Sequence, residues 1–144
     1  MLVLSEFILR LGFGLALSML LVSHNLGIVG RLCDRLTILY AGRAVESGPT
    51  AAVLATPRHP YTRGLLGATP SAVRRRGGRL VEIAGSVPAL SDLPVGCAFQ
   101  NRCPDVFDRC RAGRPILAPL LPHRSAACFA AEEEVSRHVA AVGT

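Results

Sequence analysis

Residues 20–48 read LLVSHNLGIVGRLCDRLTILYAGRAVESG. An apolar run, residues 16–22, is broken only by Ser18 and stops abruptly at Ser23, His24 and Asn25. A run of that length suits a parallel strand buried on both faces. Polar residues at the carboxyl end of such a strand lie where open α/β sheets bind ligands, which makes His24 the first candidate site residue. Asn25 is positioned to cap a helix over Leu26 to Leu32, whose apolar positions are Leu26, Ile28, Val29 and Leu32. Arg35 to Gly48 then reads as a strand, a tight turn at Ala41-Gly42 and a second strand. The fold class expected from this order is α/β.

Outward from this stretch the signals are local. Val3 to Leu11 has apolar residues at helical spacing, and Gly12 and Gly14 stop it. Pro49 to Leu54 opens with a turn and forms a short helix, which Thr56, Pro57 and Pro60 break. Pro60 to Ala68 reads as another helix with proline near its first position. The segment 71–78, SAVRRRGG, marks a linker. Arg74, Arg75, Arg76 and Arg79 lack stacking aromatics nearby, so a solvated linker is preferred to a nucleic-acid patch. Leu80 to Ile83 reads as a short strand and Gly85 to Pro94 as irregular chain. Ala130 to Val142 reads as a terminal helix with Glu132 to Glu134 near its start. The expected division is 1–70, a linker over 71–79, and 80–144.

Composition excludes some chemistry. Half of the 144 residues are apolar, aromatics are 5%, and the formal net charge is +6. All 16 basic residues are arginine. A phosphate-binding loop of the form GxxxxGK[ST] needs its lysine, so these residues contain none, and no GxGxxG occurs either. Leu11 to Gly30 has the length of a membrane span, but Ser23, His24 and Asn25 interrupt it. Glu6 and the lack of a small-x-small cleavage site argue against a signal peptide. Without export the compartment is reducing, which favours thiols over disulfides.

Four of the five cysteines lie between Gly96 and Cys128, in GCAFQNRCPDVFDRCRAGRPILAPLLPHRSAAC, with spacing Cys-x5-Cys-x6-Cys-x17-Cys. The segment is rich in proline, arginine and small residues, so it is expected to bury little surface and to need a staple. Cys97, Cys103, Cys110 and Cys128 supply four sulfurs. A metal or cluster site is the preferred use, with two disulfides or unrelated thiols as alternatives. His123 is a further candidate ligand, although a surface histidine in a Pro-rich loop is the preferred reading.

Several of these stretches together resemble the end of the nucleotide-binding subunit of an ATP-binding cassette (ABC) transporter. The matching residues are His24, Cys33-Asp34-Arg35, the hairpin Tyr40 to Gly48, and PRHPYTRGLL from Pro57 to Leu66. The tail from Gly85 to Cys110, followed by His123 and Cys128, looks like the C-terminal extension of the oligopeptide/dipeptide (peptide and nickel) branch. The resemblance covers residues 16–130. It implies the C-terminal part of a P-loop NTPase domain followed by a small irregular Cys-rich extension.

By this resemblance His24 is the switch histidine, which contacts the γ-phosphate of ATP and orients the attacking water. Asn25 stands where the family usually has aspartate. The cofactors implied are ATP with Mg and, at Cys97, Cys103, Cys110 and Cys128, a 4Fe-4S cluster, with zinc as the chemical alternative. The implied partners are a second ATP-binding subunit, transmembrane permease subunits and, indirectly, a peptide-binding protein, with no nucleic acid. The implied location is the cytoplasmic face of the bacterial plasma membrane. Walker A, Walker B and the signature motif do not occur in these residues. The chain is therefore expected to be a truncated C-terminal portion that cannot hydrolyse ATP by itself. The alternatives are a non-catalytic iron–sulfur or zinc module with a regulatory or assembly role, and a gene remnant without function.

Overall fold

In the computed structural model the described residues are 18–69 and 83–142. Among the described residues the first element is helix α1 (Leu26–Leu32), followed by strands β1 (Arg35–Tyr40) and β2 (Arg43–Pro49). Helices α2 (Thr50–Ala55) and α3 (Pro60–Gly67) come next. After residue 83 the chain makes two 3-10 turns, Leu90–Asp92 and Gln100–Arg102, then helix α4 (Asp108–Ala112). Strands β3 (Ala118–Leu121) and β4 (Arg124–Ala126) and helix α5 (Phe129–Val142) complete it.

Local chemistry accounts for the first half. Asn25 caps α1 as expected, its Oδ1 accepting from the N–H groups of Gly27 at 3.0 Å and Ile28 at 3.3 Å. β1 alternates strictly: Leu36, Ile38 and Tyr40 are buried while Arg35, Thr37 and Leu39 are exposed. The turn to β2 holds Ala41 at φ 47° and Gly42 at φ 74°. Positive φ at both central residues is the hairpin turn whose twist matches the flanking strands. Pro60 begins α3, where its missing N–H costs nothing.

The four strands form one antiparallel sheet in the order β1-β2-β4-β3. β2 pairs with β1 along its length and with β4 through Glu46↔Ala126 and Ser47↔Ser125. The N–H of Ala127 extends that seam by donating to the carbonyl of Val45 at 2.9 Å. The tail therefore completes the sheet that the hairpin begins. Residues from both sides of the 71–79 segment share one core: Val29, Leu36, Ile38, Tyr40, Val45 and Val53 pack with Phe99.

Phe99 is 2% exposed and sits in an aromatic cluster. It meets Tyr40 edge-on at 5.1 Å between centroids, and Tyr61 and His59 each at 5.6 Å. The Cys-rich segment thus plants a large apolar side chain in the common core, contrary to the expectation that it buries little. Nor is the extension irregular throughout, since it carries β3, β4 and the 14-residue α5.

The expected strand over 16–22 is corrected where it is described. Residues 18–22 form no strand, and Met19, Leu20 and Val22 are 57%, 90% and 88% exposed. A strand buried on both faces needs parallel neighbours and covering helices. Every described strand pairing is antiparallel, and none involves these residues. The helix expected over Val3 to Leu11 and the linker over 71–78 lie outside the described residues. So does most of the strand expected over Leu80 to Ile83. None of the described helices is long and apolar enough to cross a membrane.

Candidate functional site

His24 lies in an exposed loop directly ahead of α1. Its neighbours are held rather than loose: Ser23 Oγ accepts from the N–H of Asn25 at 3.1 Å, and Asn25 turns its side chain into the helix cap. Asparagine caps about as well as aspartate, so the helix start is kept without a carboxylate beside the imidazole. The resulting arrangement is an accessible ring nitrogen, able to donate or accept, with no fixed negative charge at residue 25.

The second candidate is the cysteine set. Cys97 precedes the second 3-10 turn, Cys103 follows it, Cys110 lies in α4, and Cys128 immediately precedes α5. All four are free thiols, Cys110 and Cys128 buried and the other two half-buried. Burial is the leading cause of a raised thiol pKa at Cys97, Cys103 and Cys128, with Cys103 pushed up to about 11.

The thiols also feel one another. Cys97 is pushed up by Cys110, Cys103 by Cys128 and Cys97, and Cys128 by Cys97 and Cys110. Four sulfurs drawn from four places in the chain are within mutual electrostatic reach. Against burial work backbone N–H groups that favour the thiolate. Phe99 and Gln100 supply them to Cys97, Asp105 to Cys103, and Ala130 and Ala131 to Cys128. Four cysteine sulfurs are the donor type that four-thiolate ligation uses, and hydrogen bonds to sulfur are one of the means by which such sites are tuned. The side chains stand short of coordination, however: among the described residues no three His, Cys, Asp or Glu side chains are grouped closely enough to hold an ion. His123 is exposed, at φ 60° in the β3–β4 turn, in line with the surface reading.

A third cluster has no counterpart in the sequence reading. The Glu46 carboxylate, 1% exposed, accepts from the N–H groups of Arg58 and His59, both at 2.9 Å. Arg124 Nη2 donates to the same carboxylate at 3.0 Å, and Arg124 also donates to Thr56 Oγ1 and the Thr56 carbonyl. One buried carboxylate thus gathers the β2 strand, the loop before α3 and the β4 strand. His59 in turn caps α3, its Nδ1 accepting from the N–H of Tyr61 at 3.1 Å. Nearby, Arg58 pairs with Glu134 of α5 at 2.9 Å and Arg63 pairs with Asp105. A histidine immediately before a proline that opens a helix was the one readable sign of this cluster. Strand alternation gives no sign of it, because Val45 and Glu46 are adjacent and both buried.

The hairpin, the Pro57 to Leu66 stretch and the Cys-rich tail therefore assemble around shared residues, and the same segments carry the likeness to known proteins. Residues 45–110 match the family described as the oligopeptide/dipeptide transporter, C-terminal region. A Brucella ovis protein named as a peptide import ATP-binding protein is 44% identical over 122 residues, covering 81% of this chain and 36% of the relative. A Sinorhizobium fredii peptide ABC transporter ATP-binding protein is 40% identical over 119 residues, covering 83% of this chain and 36% of the relative. The oligopeptide transport ATP-binding protein OppD of Mycobacterium bovis is 40% identical over 121 residues, covering 84% of this chain and 20% of the relative.

The mixed helix-and-sheet fold and these matches define the class: the chain is kin to the ATP-binding subunits of ABC transporters. Within that likeness, residues 45–110 match the C-terminal region of the oligopeptide/dipeptide transporter family. The chain spans about a third or less of the length of these curated relatives.

Proposed function

We propose that these residues serve as the C-terminal part of the energy-coupling, ATP-binding subunit of an importer of oligopeptides or dipeptides. The observation that carries this reading is the match, over more than four-fifths of the chain, to proteins named for peptide import and ATP binding. On this reading His24 contacts the γ-phosphate of Mg-bound ATP and helps orient the attacking water. The exposed loop before α1 leaves the ring accessible for that contact. The phosphates themselves need a cradle of backbone N–H groups and a lysine. These 144 residues contain no lysine, so that cradle lies in polypeptide other than this. The partners are a second ATP-binding subunit, a pair of permease subunits and, through them, a peptide-binding protein. The subunit works at the cytoplasmic face of the membrane as a peripheral protein.

The test is a chimera in which residues 18–142 replace the matching segment of a peptide importer's ATP-binding subunit. ATP hydrolysis by the assembled transporter is expected to survive the exchange. His24→Ala in the chimera is expected to lower it about a hundredfold, the size of effect seen when one aligned transition-state donor is removed. The 144-residue chain alone is expected to hydrolyse no ATP above background. Turnover by the isolated chain that His24→Ala abolishes, or a chimera indifferent to that change, overturns the assignment.

A second site is proposed on a separate observation, four free thiols in one region, with the Cys97 N–H donating to the Cys110 carbonyl at 2.8 Å. Cys97, Cys103, Cys110 and Cys128 would hold a 4Fe-4S cluster or a zinc ion as a structural centre. Bound there, the metal would tie the 96–103 loop to α4 and to the start of α5. Anaerobically expressed protein is expected to carry four iron and four sulfide, or one zinc, per chain. Cys110→Ser is expected to reduce that content several-fold. Protein that is soluble, folded and free of both metals after anaerobic reconstitution overturns it.

A further inference from the structure

Two residues outside the thiol set govern how closely two of its members approach. The N–H of Cys97 donates to the carbonyl of Cys110 at 2.8 Å, which lays the 96–97 chain against the last turn of α4. Gly96 is buried at this crossing. A Cβ there would press into the Cys110 carbonyl oxygen and stand 2.6 Å from the carbonyl oxygen of Arg111 and 2.9 Å from its carbonyl carbon. Those are backbone atoms, so no side-chain rotation relieves the clash. Only glycine lets the two segments meet this closely.

Arg114 closes the crossing from the other side. It follows α4 by two residues, and its guanidinium reaches back across the gap. Nε donates to the Gly96 carbonyl at 3.2 Å and Nη2 to the Pro94 carbonyl at 2.7 Å. The planar fork fits two carbonyls on one chain, which a lysine ammonium does not reproduce. Its charge also lies near enough to Cys97 to favour that thiolate.

We propose that Gly96 and Arg114 are positioning residues that hold Cys97 and Cys110 together as a preformed half of the metal site. The proposal rests on the reading of the four cysteines as ligands. Its physical basis is preorganisation. A loop held in its ligating shape before the metal arrives does not have to be ordered at binding. Outer-shell residues of this kind typically change metal affinity by about 10–100-fold.

The test uses the reduced, metal-free 144-residue chain and Co2+ as the probe, followed by thiolate-to-cobalt absorption. Wild type is expected to bind one Co2+ per chain. Gly96→Ala is expected to bind at least tenfold more weakly, and Arg114→Lys about tenfold more weakly although it keeps the charge. Hydrogen exchange at the Cys97 amide, read without metal, is expected to quicken at least tenfold in Arg114→Lys. Should Gly96→Ala fail to fold, Arg114→Lys, an exchange at a half-buried position, decides the matter alone. If wild type binds cobalt and Arg114→Lys binds it equally well, the clamp is overturned while the thiol site stands. If wild type takes up neither cobalt nor, on anaerobic reconstitution, iron and sulfide, the thiol site fails and the clamp's purpose with it, whatever the Cys97 amide does.

Discussion

Glu46→Ala is expected to cost about 3–5 kcal/mol of folding stability, the loss that follows removal of one partner from a buried ion pair. Domains of this size are stable by only about 5–15 kcal/mol, so a large share of the total is at stake. The cost has two sources. Arg124, 7% exposed, keeps its bonds to Thr56 at 2.8 and 2.7 Å but loses its counter-charge. The N–H groups of Arg58 and His59 lose their carboxylate acceptor, and an orphaned buried N–H costs roughly 1–3 kcal/mol. Arg124→Ala leaves both of those bonds intact, so its loss is expected nearer the lower end of the range. The double variant Glu46→Met with Arg124→Met removes both charges yet still strands the two N–H groups. Unlike a simple buried pair replaced by apolar residues, it is expected to fall well short of wild type. Urea unfolding of the four proteins, compared by their midpoints, checks each step. A Glu46→Ala midpoint equal to that of wild type would show that this carboxylate is not what joins the hairpin to the tail.

That junction also explains which parts of the fold were legible. The β1–β2 hairpin, α1 with its asparagine cap and α3 with its leading proline are each specified by residues within a few positions of one another. Strict alternation, an Ala-Gly turn and an N-cap are local signals, and they survive in the structure. β3 and β4 are only four and three residues long, and Pro119 and Pro122 interrupt any strand pattern. They exist because β2 offers an open edge more than seventy residues away, which no window of sequence reveals. Phe99 was hidden for the same reason. Flanked by Ala98 and Gln100 it looks like a lone aromatic in a poor segment, and only Tyr40, Tyr61 and His59 make it core.

The candidate sites divide in the same way. Residue type and spacing singled out His24 and the four cysteines, while the setting of the cysteines followed from distant contacts. The strand expected to present His24 does not form over residues 18–22, which pair with none of the described strands. For the cysteines the spacing left metal, disulfide and free thiol open. The fold brings the sulfurs close enough to influence one another electrostatically, though short of coordination distance, and backbone N–H groups favour the thiolate at three of them. Such N–H groups are set by the 3-10 turn, the turn at 104–105 and the first turn of α5, none of which a cysteine count can predict.

His59 is the point where this assembly becomes sensitive to acid. Its ring is 2% exposed, and burial, with Arg63 as a smaller contributor, lowers its pKa from 6.5 to about 4. The neutral ring is the one the structure uses, because Nδ1 must carry a free lone pair to accept from the N–H of Tyr61. Between pH 6.5 and pH 4 the unfolded chain takes up a proton here that the folded chain refuses. Stability at this residue is therefore complete above pH 6.5, falls as the pH drops through the window, and levels off below pH 4. The shift corresponds to about 3 kcal/mol. His59→Asn isolates the effect: asparagine still caps a helix but does not titrate. The variant is expected to be less stable than wild type at pH 7, having lost the ring packed against Phe99, and the gap is expected to close by about 3 kcal/mol on going to pH 4. Urea unfolding of both proteins at half-unit steps of pH measures it. A gap that stays constant across the window would mean that the folded His59 takes its proton as readily as the unfolded one, and that the ring is not buried as described.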